Sequence, residues 1–197
     1  MSRTSEAKRI AALLVLAMMA LLLALSTLDI SDAEARKRHH RINTVLCPNQ
    51  PGTANCVGTD SREKLIGRNF AFDRIEGKEG NDIYDGKSGS DIWEDSSATS
   101  TDLYLVSVKE FSSSSGLGIR DRGGSQDTLD LSRFYKSFEF DFSMDDRDFD
   151  GIVDDLVLDG PGVNNVVVLD FGNSNSVDHY KFADRTLTAD QVRGLLQ

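Results

Sequence analysis

The chain has 197 residues, a formal net charge of −10, and 39% hydrophobic and 8% aromatic residues. This length suits one domain, or one small domain behind a processed leader. The excess of acidic residues argues against nucleic acid as a partner, because its phosphates would be repelled, and it favours cations as ligands. The sequence has no His-Glu-x-x-His motif, no Gly-x-Ser-x-Gly motif and no phosphate-binding loop, so we do not expect an enzyme.

The N-terminus has the layout of a secretory signal peptide. Residues 10–25 form an unbroken apolar run that follows basic residues and precedes the small-residue sequence Ala-Glu-Ala, which ends at Ala35. We therefore predict a signal peptide at residues 1–35, cleavage near Ala35 and a secreted, extracellular protein. The alternative is an uncleaved membrane anchor, although the run is slightly shorter than the roughly 17 to 25 residues that a spanning helix needs.

Residues 36–46 are predicted to be a basic, flexible arm, because they begin with Arg-Lys-Arg-His-His-Arg. Such a run is typical of a solvated segment and also suits contact with an anionic cell-envelope or extracellular surface. The two adjacent histidines do not predict a metal site, because no third ligand accompanies them.

Cys47 and Cys56 are the only cysteines. An exported chain meets an oxidising compartment, so we predict a disulfide between them that caps the first coil of the fold. A redox pair or half of a metal site is the weaker alternative, because the spacing is not Cys-x-x-Cys.

Residues 77–94 contain a nine-residue sequence twice, Gly-Lys-Glu-Gly-Asn-Asp-Ile-Tyr-Asp and Gly-Lys-Ser-Gly-Ser-Asp-Ile-Trp-Glu. The glycines allow tight turns, and each glycine pair is followed by an acid, Asp82 or Asp91. Two residues later, Tyr84 and Trp93 are placed to point inward from a short strand. Each copy is therefore predicted to be a turn, an acid and a strand.

These two copies resemble the Gly-Gly-x-Gly-x-Asp-x-apolar-x nonapeptide of repeats-in-toxin (haemolysin-type) calcium-binding proteins. The resemblance implies a parallel β-roll that binds Ca²⁺ through the two aspartates and nearby backbone carbonyls. Lysine replaces the second glycine of each copy, which adds a cation near the metal and should lower its affinity. The implied ligands are Lys78, Gly80, Asp82, Lys87, Gly89 and Asp91.

Two degenerate repeats precede these copies, residues 58–66 with Glu63 in the acid place and residues 67–76 with Asp73. Residues 95–105 are a candidate fifth repeat, so the disulfide-capped β-roll is predicted to span residues 47–105. Nine residues make half a coil, and alternate loops should therefore share an edge of the roll. We expect Asp73 and Asp91 to share an ion on one edge. Asp82 should pair with Glu63, and with Asp102 of the candidate repeat, on the other.

The C-terminal β region, residues 106–197, opens with a Ser/Gly loop and then Asp-Arg-Gly-Gly-Ser-Gln-Asp-Thr-Leu-Asp. This sequence resembles the closing turn of calcium-binding β-rolls, which implies that Asp121 and Asp127 are ligands. A glycine turn with solvated acids is the alternative. Alternation of Phe138, Phe140 and Phe142 with polar residues then predicts a half-buried strand.

An Asp-rich loop begins at residue 146 and follows the first nine places of an EF-hand-type loop. Val157 stands in place twelve, where a bidentate acid is usual, so affinity should be modest. The flanks read as strands rather than helices, and the alternative is a solvated acidic hairpin turn. The predicted ligands are Asp146, Asp148, Asp150, Ile152 through its carbonyl, and Asp154.

The remaining chain predicts a β-meander and a closing helix. Strand patterns recur up to residue 182, and Thr188 with Gln191 forms a capping box for a helix at residues 189–196. The ending resembles the Phe-Ala-Asp-Gly-Thr closure of repeats-in-toxin domains, but Arg185 replaces the glycine, so no ligand role is assigned to Asp184.

Together these features predict an all-β protein, a short parallel β-roll that continues into a β-meander with a short C-terminal helix. The expected function is that of a secreted calcium-binding protein whose roll folds around Ca²⁺ or is stabilised by it. The alternative is an extracellular structural or adhesive protein in which calcium is incidental.

Overall fold

The computed structural model describes residues 42–49, 52–107, 116–124, 126–160, 163–172 and 176–196. The predicted signal peptide and residues 36–41 of the predicted arm lie outside the described residues, as does most of the Ser/Gly loop. One compact unit spans Asn43–Gln197.

This unit is mostly β-structure. A 3₁₀ helix (Ser137–Glu139) lies in its middle, and one α-helix, α1 (Ala189–Leu195), follows the last strand. In chain order, the strands of the described part are β1 (Asn43–Leu46), β2 (Ala54–Val57), β3 (Glu63–Ile66), β4 (Asp73–Glu76), β5 (Ile83–Asp85), β6 (Ile92–Asp95), β7 (Leu103–Leu105), β8 (Leu117–Asp121), β9 (Thr128–Asp130), β10 (Asp141–Asp145), β11 (Asp155–Gly160), β12 (Val163–Val168), β13 (His179–Lys181) and β14 (Thr186–Thr188).

The strands form two mixed, seven-stranded sheets that do not close. Sheet 1 has the order β1-β3-β5-β7-β9-β13-β14, and sheet 2 has the order β10-β11-β12-β8-β6-β4-β2. Successive strands up to β9 alternate between the sheets, and all pairs among them are parallel. The predicted all-β class with a short C-terminal helix is confirmed.

Inward side chains stack from strand to strand and form the core. Leu65, Tyr84, Tyr104 and Leu129 occupy equivalent positions of sheet 1, and all have no exposed surface. In sheet 2 the equivalent series is Ile75, Trp93 and Ile119, with at most 1% exposed. The predicted inward positions are therefore confirmed, and the series extends beyond the predicted repeats.

Cys47 and Cys56 form the predicted disulfide, which joins the end of β1 to β2. Both cysteines belong to the core cluster. The disulfide therefore lies at the first coil, as predicted.

Three features differ from the sequence-based expectation. The last part of the predicted arm is strand β1, because Asn43–Leu46 pair in register with β3. Parallel pairing extends past residue 105, since β8 pairs with β6 and β9 with β7. The meander is also shorter than predicted: β10, β11 and β12 are antiparallel neighbours, but β13 joins sheet 1 beside β9.

The strand predicted through Phe138, Phe140 and Phe142 is wrong in its first part. The chain forms the 3₁₀ helix there, and β10 begins only at Asp141. The reason is a tertiary contact: the N–H and the hydroxyl of Ser137 each donate to the carboxylate of Asp184 at 2.7 Å. Both carboxylate oxygens of Asp184 accept hydrogen bonds in this contact.

The closing helix begins as predicted. The N–H of Thr188 donates to the Gln191 side chain at 2.9 Å, and the N–H of Gln191 donates to the Thr188 hydroxyl at 3.3 Å. Val192 of α1 is fully buried, so the helix packs onto the core.

Candidate cation-binding sites

A row of acids runs along one edge of the molecule, where each loop enters a strand of sheet 1. The row begins at Glu63, and each later acid accepts the backbone N–H of the acid before it through one carboxylate oxygen. We call this row the acid ladder. Its hydrogen bonds run from Glu63 N to Asp82 (2.8 Å), from Asp82 N to Asp102 (2.6 Å), from Asp102 N to Asp127 (2.7 Å) and from Asp127 N to Asp178 (3.1 Å).

The ladder uses only one oxygen of each carboxylate in this way. The second oxygens of Asp82 and Asp127 are buried, and neither has a hydrogen-bond partner among the described residues. Burial raises the pKa of both carboxyls to about 7, and the nearby charges of other ladder acids add to the increase. In the part of the chain that the structure describes, these two oxygens are therefore buried acceptors without a hydrogen-bond donor.

A second, shorter row lies at the edge where loops enter sheet 2. The N–H of Asp73 donates to Oδ1 of Asp91 at 3.0 Å. The predicted separation is thus confirmed: Asp73 begins β4 and Asp91 directly precedes its neighbour β6 in sheet 2, whereas Asp82 directly precedes β5 of sheet 1. Oδ2 of Asp91 is buried and has no hydrogen-bond partner among the described residues. Burial and the charge of Asp73 raise the pKa of Asp91 to about 7.

The carboxylate of Asp73, in contrast, is neutralised within the protein. Arg68 approaches its Oδ1 through Nε at 2.8 Å and through Nη2 at 2.7 Å. The N–H of Arg68 donates to Oδ2 at 2.5 Å. Both oxygens of Asp73 are therefore occupied by one residue.

The turns of the two clean repeats, residues 77–85 and 86–94, have matching backbone conformations. Lys78 and Lys87, in the second place, have φ of 71° and 68°, which is the left-handed region that glycine prefers. A Cβ at Gly77 would lie 2.6 Å from Oδ2 of Asp82, and a Cβ at Gly86 would collide with Oδ2 of Asp91. The first glycine therefore keeps the space beside each unpartnered oxygen open.

The predicted carbonyl ligands lie in these same turns. Gly80 and Gly89 also have positive φ, 118° and 149°. The ammonium of Lys87 lies 2.6 Å from Asp85, so this cation is directed to another acid than Asp91. The predicted interference of this lysine with a metal at Asp91 is correspondingly reduced.

Two further buried acids, Asp95 and Asp121, are the last residues of β6 and β8, at the start of the loops that lead to β7 and β9. In the loop that leads to β5, on the same edge, the first residue is Gly77. Asp95 and Asp121 are paired in register on β6 and β8, and each is 2% exposed. Each has one oxygen without a hydrogen-bond partner in the described chain. Burial raises the pKa of both to about 7, and the charge of Asp102 contributes to each shift.

The Asp-rich loop connects the antiparallel strands β10 and β11, so its predicted strand flanks are confirmed. Carboxylate oxygens of Asp146, Asp148 and Asp155 lie within 4.8 Å of one another, and so do those of Asp148, Asp150 and Asp170. Hard cations such as Ca²⁺ take oxygens in such an arrangement. The predicted ligand Asp148 belongs to both groups, whereas the predicted ligands Asp146 and Asp150 fall in different groups.

Asp154, another predicted ligand of this loop, is less well placed. Asp154 belongs to neither group of three acids. Ile152 donates its N–H to Asp150 at 2.8 Å, which stabilises the turn. Val157, in place twelve, is 3% exposed within β11 and supplies no carboxylate.

Asp155, which was not predicted as a site residue, is the acid that holds this loop together. One of its oxygens accepts the N–H groups of Arg147 at 2.6 Å and Asp148 at 3.1 Å, and the other accepts that of Asp170 at 2.9 Å. Asp155 is fully buried. The sequence signal for Asp155 was an acid directly before an apolar strand. Its link to Asp170 was not visible in the sequence, because it depends on the pairing of β11 with β12.

No protein-family model and no curated protein matches this chain. The resemblance to repeats-in-toxin proteins therefore depends on the motif residues themselves. Within the described residues, no helix is both long and apolar enough to cross a membrane.

Asp95 is the other site residue that sequence reasoning missed. Aligning residues 95–102 with the clean repeats places it opposite their first glycine. The absence of glycine in that loop concealed the equivalence. Asp102 and Asp127, which the sequence did suggest, take the acid places of the ladder as expected.

Proposed function

We propose that this protein is a secreted calcium-binding protein whose parallel strands form a short β-roll stabilised by Ca²⁺. The observation that carries the proposal is the recurrence of buried, unpartnered carboxylate oxygens at equivalent places of the loops. Asp82 and Asp91 of the clean repeats and Asp127 of the closing turn share this feature. Each is at most 1% exposed.

Buried carboxylates of this kind require a counter-charge. An ionised carboxylate away from water is costly unless it is paired, and a proton or a cation can relieve the cost. None of Asp82, Asp91 and Asp127 forms a salt bridge with a described lysine or arginine, and their pKa values of about 7 leave a large ionised fraction at neutral pH. A bound divalent cation supplies the missing charge.

Calcium is the ion that these donors favour. The ligands that the repeat motif implies are backbone carbonyls and carboxylates, all of them oxygens. Ca²⁺ accepts six to eight oxygens in flexible geometry, whereas Mg²⁺ demands a near-octahedral shell and keeps its water. The described part of these loops offers no histidine or cysteine, which zinc prefers.

The Asp-rich loop is proposed as a separate site of the same chemistry. Asp146, Asp148 and Asp155 are its central ligands, and Oδ1 of Asp146 is a buried atom without a hydrogen-bond partner in the described chain. Arg120 lies 3.1 Å from Asp148 and competes with the ion, so this site should be the weaker one.

An extracellular structural or adhesive role with incidental calcium is the second candidate. The acid ladder favours it, because hydrogen bonds from Asp82 N to Asp102 and from Asp102 N to Asp127 join neighbouring loops without any ion. Circular dichroism of residues 36–197 during a calcium titration separates the two. The β signal should grow with calcium under the first proposal and stay constant under the second.

Calcium stoichiometry tests the proposal itself. Isothermal titration calorimetry on residues 36–197 should show binding that is weakened or lost at one site in Asp82→Asn and at another in Asp91→Asn. Asp60→Asn is the matched control, because Asp60 is an exposed acid in a loop of the same edge as Asp82. Zero calcium bound at millimolar concentration would refute the proposal.

A further inference from the structure

The side chain of Arg68 is surrounded by the oxygen donors that a metal ion would use. Besides the carboxylate of Asp73, Nη2 contacts the carbonyl of Gly52 at 2.8 Å and, more weakly, that of Phe72 at 3.4 Å. Asp73 is fully buried, and the Arg68 side chain is only 15% exposed. A carboxylate and backbone carbonyls around one positive charge are also the ligand classes of a calcium site.

The next loop on the same edge lacks this internal cation. Arg68 holds the second place of its loop, and Lys87 holds that place in the loop of Asp91. Lys87 is instead paired with Asp85 at 2.6 Å, and Oδ2 of Asp91 has no hydrogen-bond partner in the described chain. Equivalent loops thus differ in whether the protein itself neutralises the acid.

The backbone conformation at the second place also differs between the two loops. The N–H of Arg68 donates to Oδ2 of Asp73, whereas Lys87 has a left-handed φ of 68° and gives no such bond to Asp91. Arg68 therefore closes its loop through both its main chain and its side chain.

We propose that the Asp73 loop is a cation-binding position whose cation is the guanidinium of Arg68, and that removing this side chain opens the position to one calcium ion. The ion would be bound by Asp73 and by the carbonyls of Gly52 and Phe72. The inference rests on the proposed function for the choice of ion. Under this proposal Asp73 binds Arg68 rather than calcium in the native protein, which differs from the ligand role predicted for it from the sequence.

The location of the Asp73 loop suggests a structural role for Arg68 in place of a metal ion. Gly52 lies between Cys47 and Cys56, so Arg68 ties the disulfide-closed segment to the loop of Asp73. The first coils are then held by a covalent bond and an internal ion pair. They do not depend on metal, while the later loops do.

The test is calcium stoichiometry of residues 36–197 carrying Arg68→Ala, with calcium alone as the added ligand. We expect one more calcium per chain than in the wild type. Arg74→Ala is the matched control, because it removes an arginine paired at 2.6 Å with Glu94 on the exposed side of the same sheet. Both Arg74→Ala and Arg68→Lys should leave the stoichiometry unchanged.

A second variant identifies the added ion. Arg68→Ala combined with Asp73→Asn should lose the extra calcium. An unchanged stoichiometry in Arg68→Ala, or a failure of that variant to fold in millimolar calcium, would overturn the inference. If the wild type binds no calcium but Arg68→Ala binds one, the proposed function fails and this inference stands. If the wild type binds calcium and Arg68→Ala adds none, only this inference fails.

Discussion

The loop of Asp73 and the loop of Asp91 lie side by side on one edge, yet their equivalent carboxylates have opposite surroundings. Asp73 is bound by Arg68 at 2.7 Å, whereas Asp91 retains a buried oxygen without a hydrogen-bond partner in the described chain. The two loops differ at the second place of the repeat, where Arg68 binds its acid and Lys87 does not bind Asp91.

The other edge shows the same contrast. Glu63, in the first degenerate repeat, accepts the N–H of Thr59 at 2.7 Å and its hydroxyl at 2.9 Å. In the following clean repeat, Lys78 has a left-handed φ of 71°, and Oδ2 of Asp82 has no such partner. The degenerate repeats are thus closed, and the clean repeats are open.

The largest expected effect is a pH dependence that calcium reverses. Asp82, Asp91 and Asp127 have pKa values of about 7 in the folded protein, against about 3.9 for aspartate in an unfolded chain. The folded state then binds more protons, so this contribution is fully present below about pH 4 and is lost as the pH rises through 7.

Urea unfolding in EDTA should therefore give a free energy of unfolding that is several kcal/mol higher at pH 5 than at pH 8, since one pKa unit corresponds to about 1.4 kcal/mol. In saturating calcium the difference should shrink or change sign, because the ion binds the ionised form. A metal-free stability that rises between pH 5 and pH 8 would contradict the open state of these loops.

Removing Arg68 should have the next largest effect on the metal-free protein. Arg68→Ala leaves the buried Asp73 without its partner, which typically costs about 3 to 5 kcal/mol. Arg74→Ala breaks a more exposed pair and should cost at most about 1 kcal/mol. Urea unfolding in EDTA measures both, and equal losses would remove the distinction between the two arginines.

Neutralising the two acids should change stability in opposite directions. In EDTA at pH 8, Asp91→Asn removes an unpaired buried charge and should stabilise the protein by about 1 to 2 kcal/mol. Asp73→Asn should destabilise it, because Arg68 loses its partner. A loss of stability in both variants would show that Asp91 is already neutralised in some other way.

The smallest effect concerns the backbone of the second place. Lys78→Gly relieves a left-handed residue and should stabilise the protein by about 1 kcal/mol. Thr59→Gly, at the equivalent place of the closed loop, should destabilise it, because the hydroxyl bond to Glu63 is lost. Thermal unfolding of both variants checks this pair, and a gain in both would contradict the assigned conformations.

The sequence predicted those parts of the molecule that repeat locally. The nine-residue repeat placed Tyr84 and Trp93 in the core, because side-chain direction alternates along a strand. It placed Asp73 and Asp82 on different edges, because nine residues make half a coil and successive loops therefore lie on opposite edges. The capping box of α1 and the disulfide were equally local signals.

Features that depend on distant pairing were not predictable in this way. The link between Asp155 and Asp170 requires β11 and β12 to be neighbours. The 3₁₀ helix at Ser137 depends on Asp184, far along the chain. The pairing of Arg68 with Asp73 lies within one loop. The same sequence pattern is also compatible with an arginine that points to solvent, so the pairing was not predictable.

Terbium luminescence tests the central claim, that the clean repeats are open cation sites, most directly. Trp93 is the only tryptophan, and its Nε1 and Oδ2 of Asp91 both lie within 2.7 Å of where a Cβ on Gly86 would be. Excitation of Trp93 in residues 36–197 should therefore sensitise terbium bound at Asp91. The signal should be displaced by calcium, lost in Asp91→Asn and retained in Asp60→Asn. Absence of the signal in the wild type, or its undiminished presence in Asp91→Asn, would contradict the account.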